Sequence, residues 1–439
     1  MQSPVLPPRA TTTAAPEPPA AWGAVLAVSL GAFALVASEF MPVSLLTPIA
    51  HDLHVSEGQA GHAISISGAF GLLTSLFVSA LVGRLDRKVL LLALTGLMIA
   101  AGSVAAFAPG WGTFLIGRAL IGVAIGGFWS MSAAVVMRLV PPDRVPKALA
   151  LVNGGNALAT VIAPPLGSFL GAVVGWRWAF FCVVPVAALA LVWKWLALPA
   201  MTVEAVARPT HPFAVFALLK QPVVARGMLA VSLFFMGQFA LFTYLRPFLE
   251  SVTHVGPRAL TFLLLLVGVS GVVGTTLIGR VTAGNLYRTL VVMPFLLALT
   301  GAGLLGFGSA PVATALLLCS WGFLGTSAPV AWWTWVARTL PRDAEAGGGL
   351  MVAVVQLAIG LGATLGGVAF DASGYRASFA TSIGLLVVSG FVAASTARAE
   401  RAHFAKGIGG QVPPAASASR QLACHERFAS APSRGTPMP

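Results

Sequence analysis

The chain has 439 residues, of which 57% are hydrophobic and 9% charged, and its formal charge is +13. Soluble domains carry about 25% charged residues, so this composition excludes a soluble fold and makes lipid the solvent. The basic excess lies in short segments between apolar runs and in the tail, without a basic patch of interleaved aromatics. It fits anionic lipid, and no nucleic acid partner.

Hydrocarbon leaves no backbone group free to bond water, so spanning segments are helices or a closed barrel. The apolar runs are about 20 residues or longer and lack strict alternation, which predicts helices. Residues 1–21, rich in proline, alanine and threonine, form an expected disordered tail with no signal-peptide pattern. Twelve spans follow, at 22–50, 58–82, 89–107, 112–137, 147–174, 178–198, 225–249, 259–281, 289–308, 311–337, 347–370 and 377–397. A linker at 199–224 separates an N-terminal six-helix bundle (22–198) from a C-terminal one (225–398), and a second disordered tail covers 399–439. The expected fold is therefore an all-α membrane protein of twelve transmembrane helices in two pseudo-symmetric halves. The halves echo each other. "MRLVPPDR" at 137–144 aligns with "ARTLPRDA" at 337–344, and "GWRWAF" at 175–180 with "GYRASF" at 374–379, at offsets of 200 and 199 residues. Two matches at nearly one offset argue for internal duplication.

One set of loops holds Arg84, Arg87, Lys88, Arg138, Arg144, Lys147, Arg208, Lys220, Arg226, Arg280, Arg288, Arg338 and Arg342. The alternate set holds few basic residues, among them Arg177, Arg258 and Arg376. The positive-inside rule makes the first set cytoplasmic, with both termini inside. Cys182, Cys319 and Cys424 offer neither a disulfide framework nor a metal cluster. The sequence contains no GxxxxGK[ST] phosphate loop, no HExxH and no GxSxG, so no ATP site, no cofactor and no hydrolytic constellation is expected. A duplicated twelve-span chain with substrate near the midplane follows the plan of a gradient-driven secondary transporter. A membrane-embedded enzyme or sensor is the remote alternative.

Of thirteen acidic residues, Glu39 alone lies well inside a span, in "LVASEFMPVSLLTP". A charged group at mid-membrane costs roughly 3 kcal/mol on insertion scales. A carboxyl there can take a proton on one side and release it on the other when its surroundings change. Arg118, in "LIGRALIGVAIGGFWSMS", is the expected partner; the alternatives are a purely structural pair and an arginine that snorkels to the interface. His62, near the outer end of the second span, reads as a satisfied interfacial residue, with proton shuttling as the alternative. Asp86, Arg87 and Lys88 form a candidate gating loop, or simple positive-inside anchoring. In the fifth span Ala159, Ala163, Gly167 and Gly171 recur every four residues and permit close helix packing, with Pro164 and Pro165 as kinks. Carboxamides (Asn153, Asn156, Gln238, Gln356) and aromatics (Phe128, Trp129, Phe242, Trp332) suit a neutral, planar, polar cargo. Aromatic faces stack on rings, and carboxamides bond both donor and acceptor edges.

"ASEFMPVSLLTPIAHDL", "LIGRALIGVAIGGFWSMSAAVVMRLVPPDRVPKALA", "GQFALFTYLRP" and "GGLMVAVVQLAIGLGATLGG" resemble the bacterial purine ribonucleoside efflux pumps, in the drug:proton antiporter group of the major facilitator superfamily. The likeness runs from about 22 to 397. It implies an inner-membrane exporter of inosine- or guanosine-type nucleosides in exchange for protons, working as a monomer. Members of the superfamily carry a Gly-x-Leu-x-Asp-Arg-type loop as a cytoplasmic latch. "GRLDRK" here keeps Gly83, Leu85 and Asp86 but lacks one spacer. The antiporters carry Gly-Pro-x-x-Gly-Gly in the fifth span; Ala163-Pro164 with Gly167-Ser168 is a softened copy. Relatives with the same "SEF" span export sugars such as arabinose, or drugs, which are the alternative cargoes.

Overall fold

The computed structural model describes residues 20–82, 85–201, 212–341 and 343–409. The described residues are helical, with no strand, and contain twelve helices long and apolar enough to span a membrane. These are α1 (Trp22–Asp52), α2 (Glu57–Val78), α3 (Arg87–Ala106), α4 (Trp111–Leu139), α5 (Pro142–Val173), α6 (Trp176–Ala197), α7 (Pro222–Ser251), α8 (Pro257–Thr282), α9 (Gly284–Phe307), α10 (Pro311–Thr339), α11 (Ala346–Ser373) and α12 (Tyr375–Glu400). Most of both expected tails, part of the expected linker, and Arg84, Arg208 and Arg342 lie outside the described residues.

Edges differ from the sequence reading where helix propensity and hydropathy part company. The last helix continues to Gly409, into the stretch expected to begin the tail at 399. Its extension, "RAERAHFAK", is rich in alanine, arginine, glutamate and lysine, which sustain a helix in water after hydropathy has ended the span. In the linker, Pro212–Lys220 form a 3₁₀ segment.

Prolines set the local shape. A proline lacks the N–H that would bond the carbonyl four residues earlier, so it both bends the helix and frees an acceptor. Pro185 follows the break at Cys182 that divides α6 into Trp176–Phe181 and Val183–Ala197. Pro247 follows the break at Thr243–Tyr244 in α7. Pro42 and Pro48 lie inside α1 and leave the carbonyls of Ser38 and Ser44 without their usual helical donors.

Each half encloses its own apolar core. One is built from residues between Ala24 and Met201, the other mainly from residues between Val224 and Ala393. Val43 and Ile64 of the first half pack into the second core. In α5 the small-residue face lies on α1: a Cβ at Gly167 would come within 2.5 Å of Ser44 Oγ, and one at Gly171 would collide with Leu45. Gly167→Leu is therefore expected to lower the yield of monodisperse protein severalfold on size-exclusion chromatography, because neither helix can retreat without opening the core.

The bundle has two ends. The basic face carries the connections around Asp86, Pro141 and Pro341; the opposite face carries those around Val55, Gly110, Gly256 and Gly374. Every hydrogen bond between the halves among the described residues lies between mid-depth and the opposite face. At that face Asp371 of α11 accepts from Ser56 Oγ at 2.7 Å and from Gly58 N at 2.9 Å. Ser56 and Gln59 already form a reciprocal capping box at the start of α2. Asp371 thus caps a helix belonging to the other half. The Tyr244 hydroxyl, fully buried, lies 2.8 Å from Ala363 O and 3.3 Å from Gly58 O. Arg246 donates to Ser44 O, the carbonyl that Pro48 frees, and pairs with Glu250 at 2.8 Å. Deeper in, Thr364 bonds Ser65 at 2.7 Å and Thr261 bonds Ser168 at 3.2 Å.

Candidate functional site

At mid-depth, between the halves, sits Glu39, 7% exposed. Its hydrogen-bond partner is not the nearby arginine. Arg118 of α4, 1% exposed, donates through Nη1 to Ser38 O at 2.8 Å and through Nη2 to the backbone O of Glu39 at 3.1 Å. It also reaches Ala63 O through Nε at 3.1 Å and Ser67 Oγ through Nη2 at 3.1 Å. Guanidinium has five N–H donors, and four of these contacts are to α1 and α2, none to the Glu39 carboxylate. The two charges still interact through space, but no hydrogen bond joins the side chains; the arginine ties helices together instead, because Pro42 leaves Ser38 O as an open acceptor beside it. The carboxylate itself points to the other half: Gln356 Nε2 of α11 lies 3.4 Å from Glu39 Oε1.

Aromatic rings cluster around Phe40, the next residue after Glu39 in α1. Phe40 stacks on Phe239 of α7 with centroids 5.8 Å apart, and Phe242 meets Phe239 edge-on at 6.1 Å. Gln238, next to Phe239 in α7, is half-buried, and its Oε1 is buried with no hydrogen-bond partner. An orphaned acceptor of this kind is costly unless a donor arrives.

The other proposed cargo residues divide. Trp129 and Asn156 are half-buried, while Asn153 is exposed and donates to Leu149 O of its own helix at 3.0 Å. Trp332, 3% exposed, is packed edge-on against Trp335 inside the second core. Phe128, 4% exposed, lies in the first core beneath a buried cation. That cation is Lys194 of α6, 1% exposed, whose Nζ bonds Thr95 Oγ1 at 2.9 Å and lies 5.4 Å over the Phe128 ring. Gly31 makes room for it on α1. Sequence reasoning missed Lys194, because a lysine one turn from a span's end reads as a snorkelling anchor.

Asp86 makes no ion pair among the described residues. It caps α3 by accepting from Lys88 N at 2.7 Å, and it receives Met201 N at 2.9 Å, which ties the start of α3 to the end of α6. Both helices belong to one half, so in this state Asp86 bridges nothing between the halves. The described residues hold no cluster of His, Cys, Asp or Glu able to bind a metal.

Residues 28–351 match the sequence pattern of the Major Facilitator Superfamily. The chain belongs to that superfamily. Membership makes it a transporter of the facilitator fold rather than an enzyme. Among relatives, it is 39% identical to the purine ribonucleoside efflux pump NepI of Salmonella paratyphi B, over 86% of this chain and 94% of that one. It is 57% identical to a Pseudomonas aeruginosa protein named transcription regulatory protein OpdE, over 88% of this chain and 96% of that one. Among solved facilitators, a bacterial homolog of the human lysosomal transporter Spinster superposes with a TM-score of 0.70 at 15% identity. That match covers 87% of this chain and 98% of the homolog, which is evidence of fold alone.

Proposed function

We propose that the chain is a proton-coupled antiporter of the bacterial inner membrane that exports purine ribonucleosides by alternating access, as a monomer. The observation that carries this reading is Glu39: a buried carboxylate at the boundary of the halves whose nearest arginine is committed to backbone carbonyls. Such a group is free to exchange a proton without dismantling the fold. The basic loops make the basic face cytoplasmic and place both termini inside. The cross-half hydrogen bonds among the described residues, all at mid-depth or beyond, support reading this as the inward-facing state, with Asp371, Tyr244 and Arg246 as its periplasmic seal. In the cycle, cargo enters from the cytoplasm, the halves rock about the midplane, and Glu39 takes a periplasmic proton as cargo leaves. Coupling requires that proton and cargo bind the two states differently. On return, Glu39 releases its proton inside.

The cargo rests on the relative named as a purine ribonucleoside pump and on chemistry at the site. Gln238 Oε1 lacks a donor that a base N–H or a ribose hydroxyl supplies, and Phe40, Phe239 and Phe242 offer ring faces and edges. Export of radiolabelled inosine, arabinose and chloramphenicol from cells expressing the chain separates the candidates. Inosine is expected to leave faster than from empty-vector cells. Efflux of arabinose or chloramphenicol alone would retain the mechanism and replace the cargo.

The relative named as a transcription regulator favours a second reading, in which export of a small inducer changes gene expression indirectly. If so, a reporter that responds to the chain loses its response in Glu39→Gln. A reporter indifferent to that substitution would separate regulation from transport.

A further inference from the structure

We propose that Gln356 couples the two halves to the protonation of Glu39, rather than serving as a cargo ligand. The inference rests on Glu39 as the proton carrier and adds how its charge is felt across the interface.

Gln356 belongs to the C-terminal half but its side chain lies in the N-terminal one. It is 6% exposed. α11 approaches α2 so closely that a Cβ at Gly68 would stand 2.7 Å from the Gln356 carbonyl and 3.3 Å from the Gly360 backbone. At Gly71 a Cβ would stand 3.1 Å from the Gln356 carboxamide nitrogen and 3.5 Å from Gly122 O of α4. The two glycines leave a window in α2. Through it the carboxamide passes to the carboxylate of α1, at 3.4 Å. No other hydrogen bond to that carboxylate exists among the described residues. A cargo ligand needs a face toward cargo. Gln356 is instead buried, with its carboxamide beside α1 and α2 of the opposite half.

The chemistry of the contact gives it a direction. A bond from an amide N–H to an ionised carboxylate is about twice as strong as one to a neutral acceptor. The halves are therefore held at mid-depth while Glu39 is ionised, and the hold weakens when a proton arrives. By linkage, any state that withdraws Gln356 from Glu39 must also alter the affinity of Glu39 for its proton. The only charged groups at this contact are Glu39 on α1 and Arg118 on α4, and the arginine is already bonded to carbonyls and Ser67. The facing parts of α2, α7 and α11 present Ser67, Gly68, Gly71, Phe239 and Gly360, none of which titrates. The remaining carboxylates between the halves, Glu57, Asp371 and Glu250, sit at the opposite face. Arg246 is paired with Glu250 there.

The test needs no cargo. Spin labels at Gly112→Cys and Ser309→Cys, both exposed at the opposite face on different halves, report separation by electron–electron distance measurement. The background lacks Cys182, Cys319 and Cys424. In the otherwise wild-type protein, lowering pH is expected to shift the distance distribution. Gln356→Leu is expected to abolish that shift, as is Glu39→Gln. Should Gln356→Leu fail to fold, Gly71→Ala crowds the carboxamide from α2 and is expected to reduce the shift in the same way. A shift retained in both Gln356→Leu and Gly71→Ala but lost in Glu39→Gln would overturn the role of Gln356 alone. A shift retained in Glu39→Gln would locate the response at the titratable groups of the opposite face, the carboxylates Asp371, Glu57 and Glu250 or the histidines His51, His54, His62 and His254, and remove Glu39 as carrier. No shift in any variant would overturn both.

Discussion

Glu39→Gln is expected to cut proton-driven export by at least about tenfold while leaving the amount of protein in the membrane unchanged. Glutamine keeps the size and one acceptor oxygen of the carboxyl but cannot gain or lose a proton. Its carboxamide can still meet Gln356, and the four bonds of Arg118 are untouched, since they go to backbone carbonyls and to Ser67. Tenfold corresponds to about 1.4 kcal/mol, about what one unit of pH difference supplies per proton. Cargo exchange without a gradient is expected to survive, because alternating access does not itself need the charge to move. Gradient-driven uptake of inosine into inverted vesicles, beside gradient-free counterflow, checks both expectations.

The largest structural effect is expected at Arg118. Arg118→Leu removes the donor that serves Ser38 O, which Pro42 prevents from bonding within its own helix, and it leaves Ser67 Oγ without its guanidinium partner. Removing one member of a buried polar network costs about 3–5 kcal/mol, against a total stability of about 5–15 kcal/mol for ordinary domains. The variant is expected to melt at clearly lower temperature in detergent and to accumulate poorly. Arg118→Lys, with a compact ammonium in place of a planar fork, is expected to recover only part of the loss. Pro42→Ala restores an N–H for Ser38 O. Combined with Arg118→Leu it is expected to regain some of the lost stability. If the double variant melts no higher than Arg118→Leu, the carbonyl freed by Pro42 is not what Arg118 serves.

How much of this was legible in the sequence depended on whether a signal was local. The twelve helices were, because apolar length is a property of each run. Glu39 was, because one carboxylate in a lipid-soluble run has no ordinary excuse. Gly167 and Gly171 were, because four-residue spacing puts them on one helix face. What sequence did not show was pairing across the fold. That Arg118 spends its hydrogen bonds on the carbonyls of α1 and α2 could not be read from its charge. Yet Pro42 and Pro48, counted back by four, name Ser38 and Ser44 as acceptors in search of donors. That rule could have found both arginine contacts, from Arg118 and from Arg246. Trp332 and Phe128 carry the right chemistry for a planar cargo, but their surroundings turn them into core. Lys194 gave no sign, because only packing against Gly31 and Phe128 distinguishes a buried lysine from one that reaches the interface.

The most direct measurement of the central claim is proton exchange by purified protein in weakly buffered detergent on addition of inosine, with wild type and Glu39→Gln side by side. Proton release by wild type, absent in Glu39→Gln, is the predicted result, since cargo and proton then compete through one carboxylate. Equal release by both proteins would contradict the claim and leave Glu39 as a structural neighbour of Gln356.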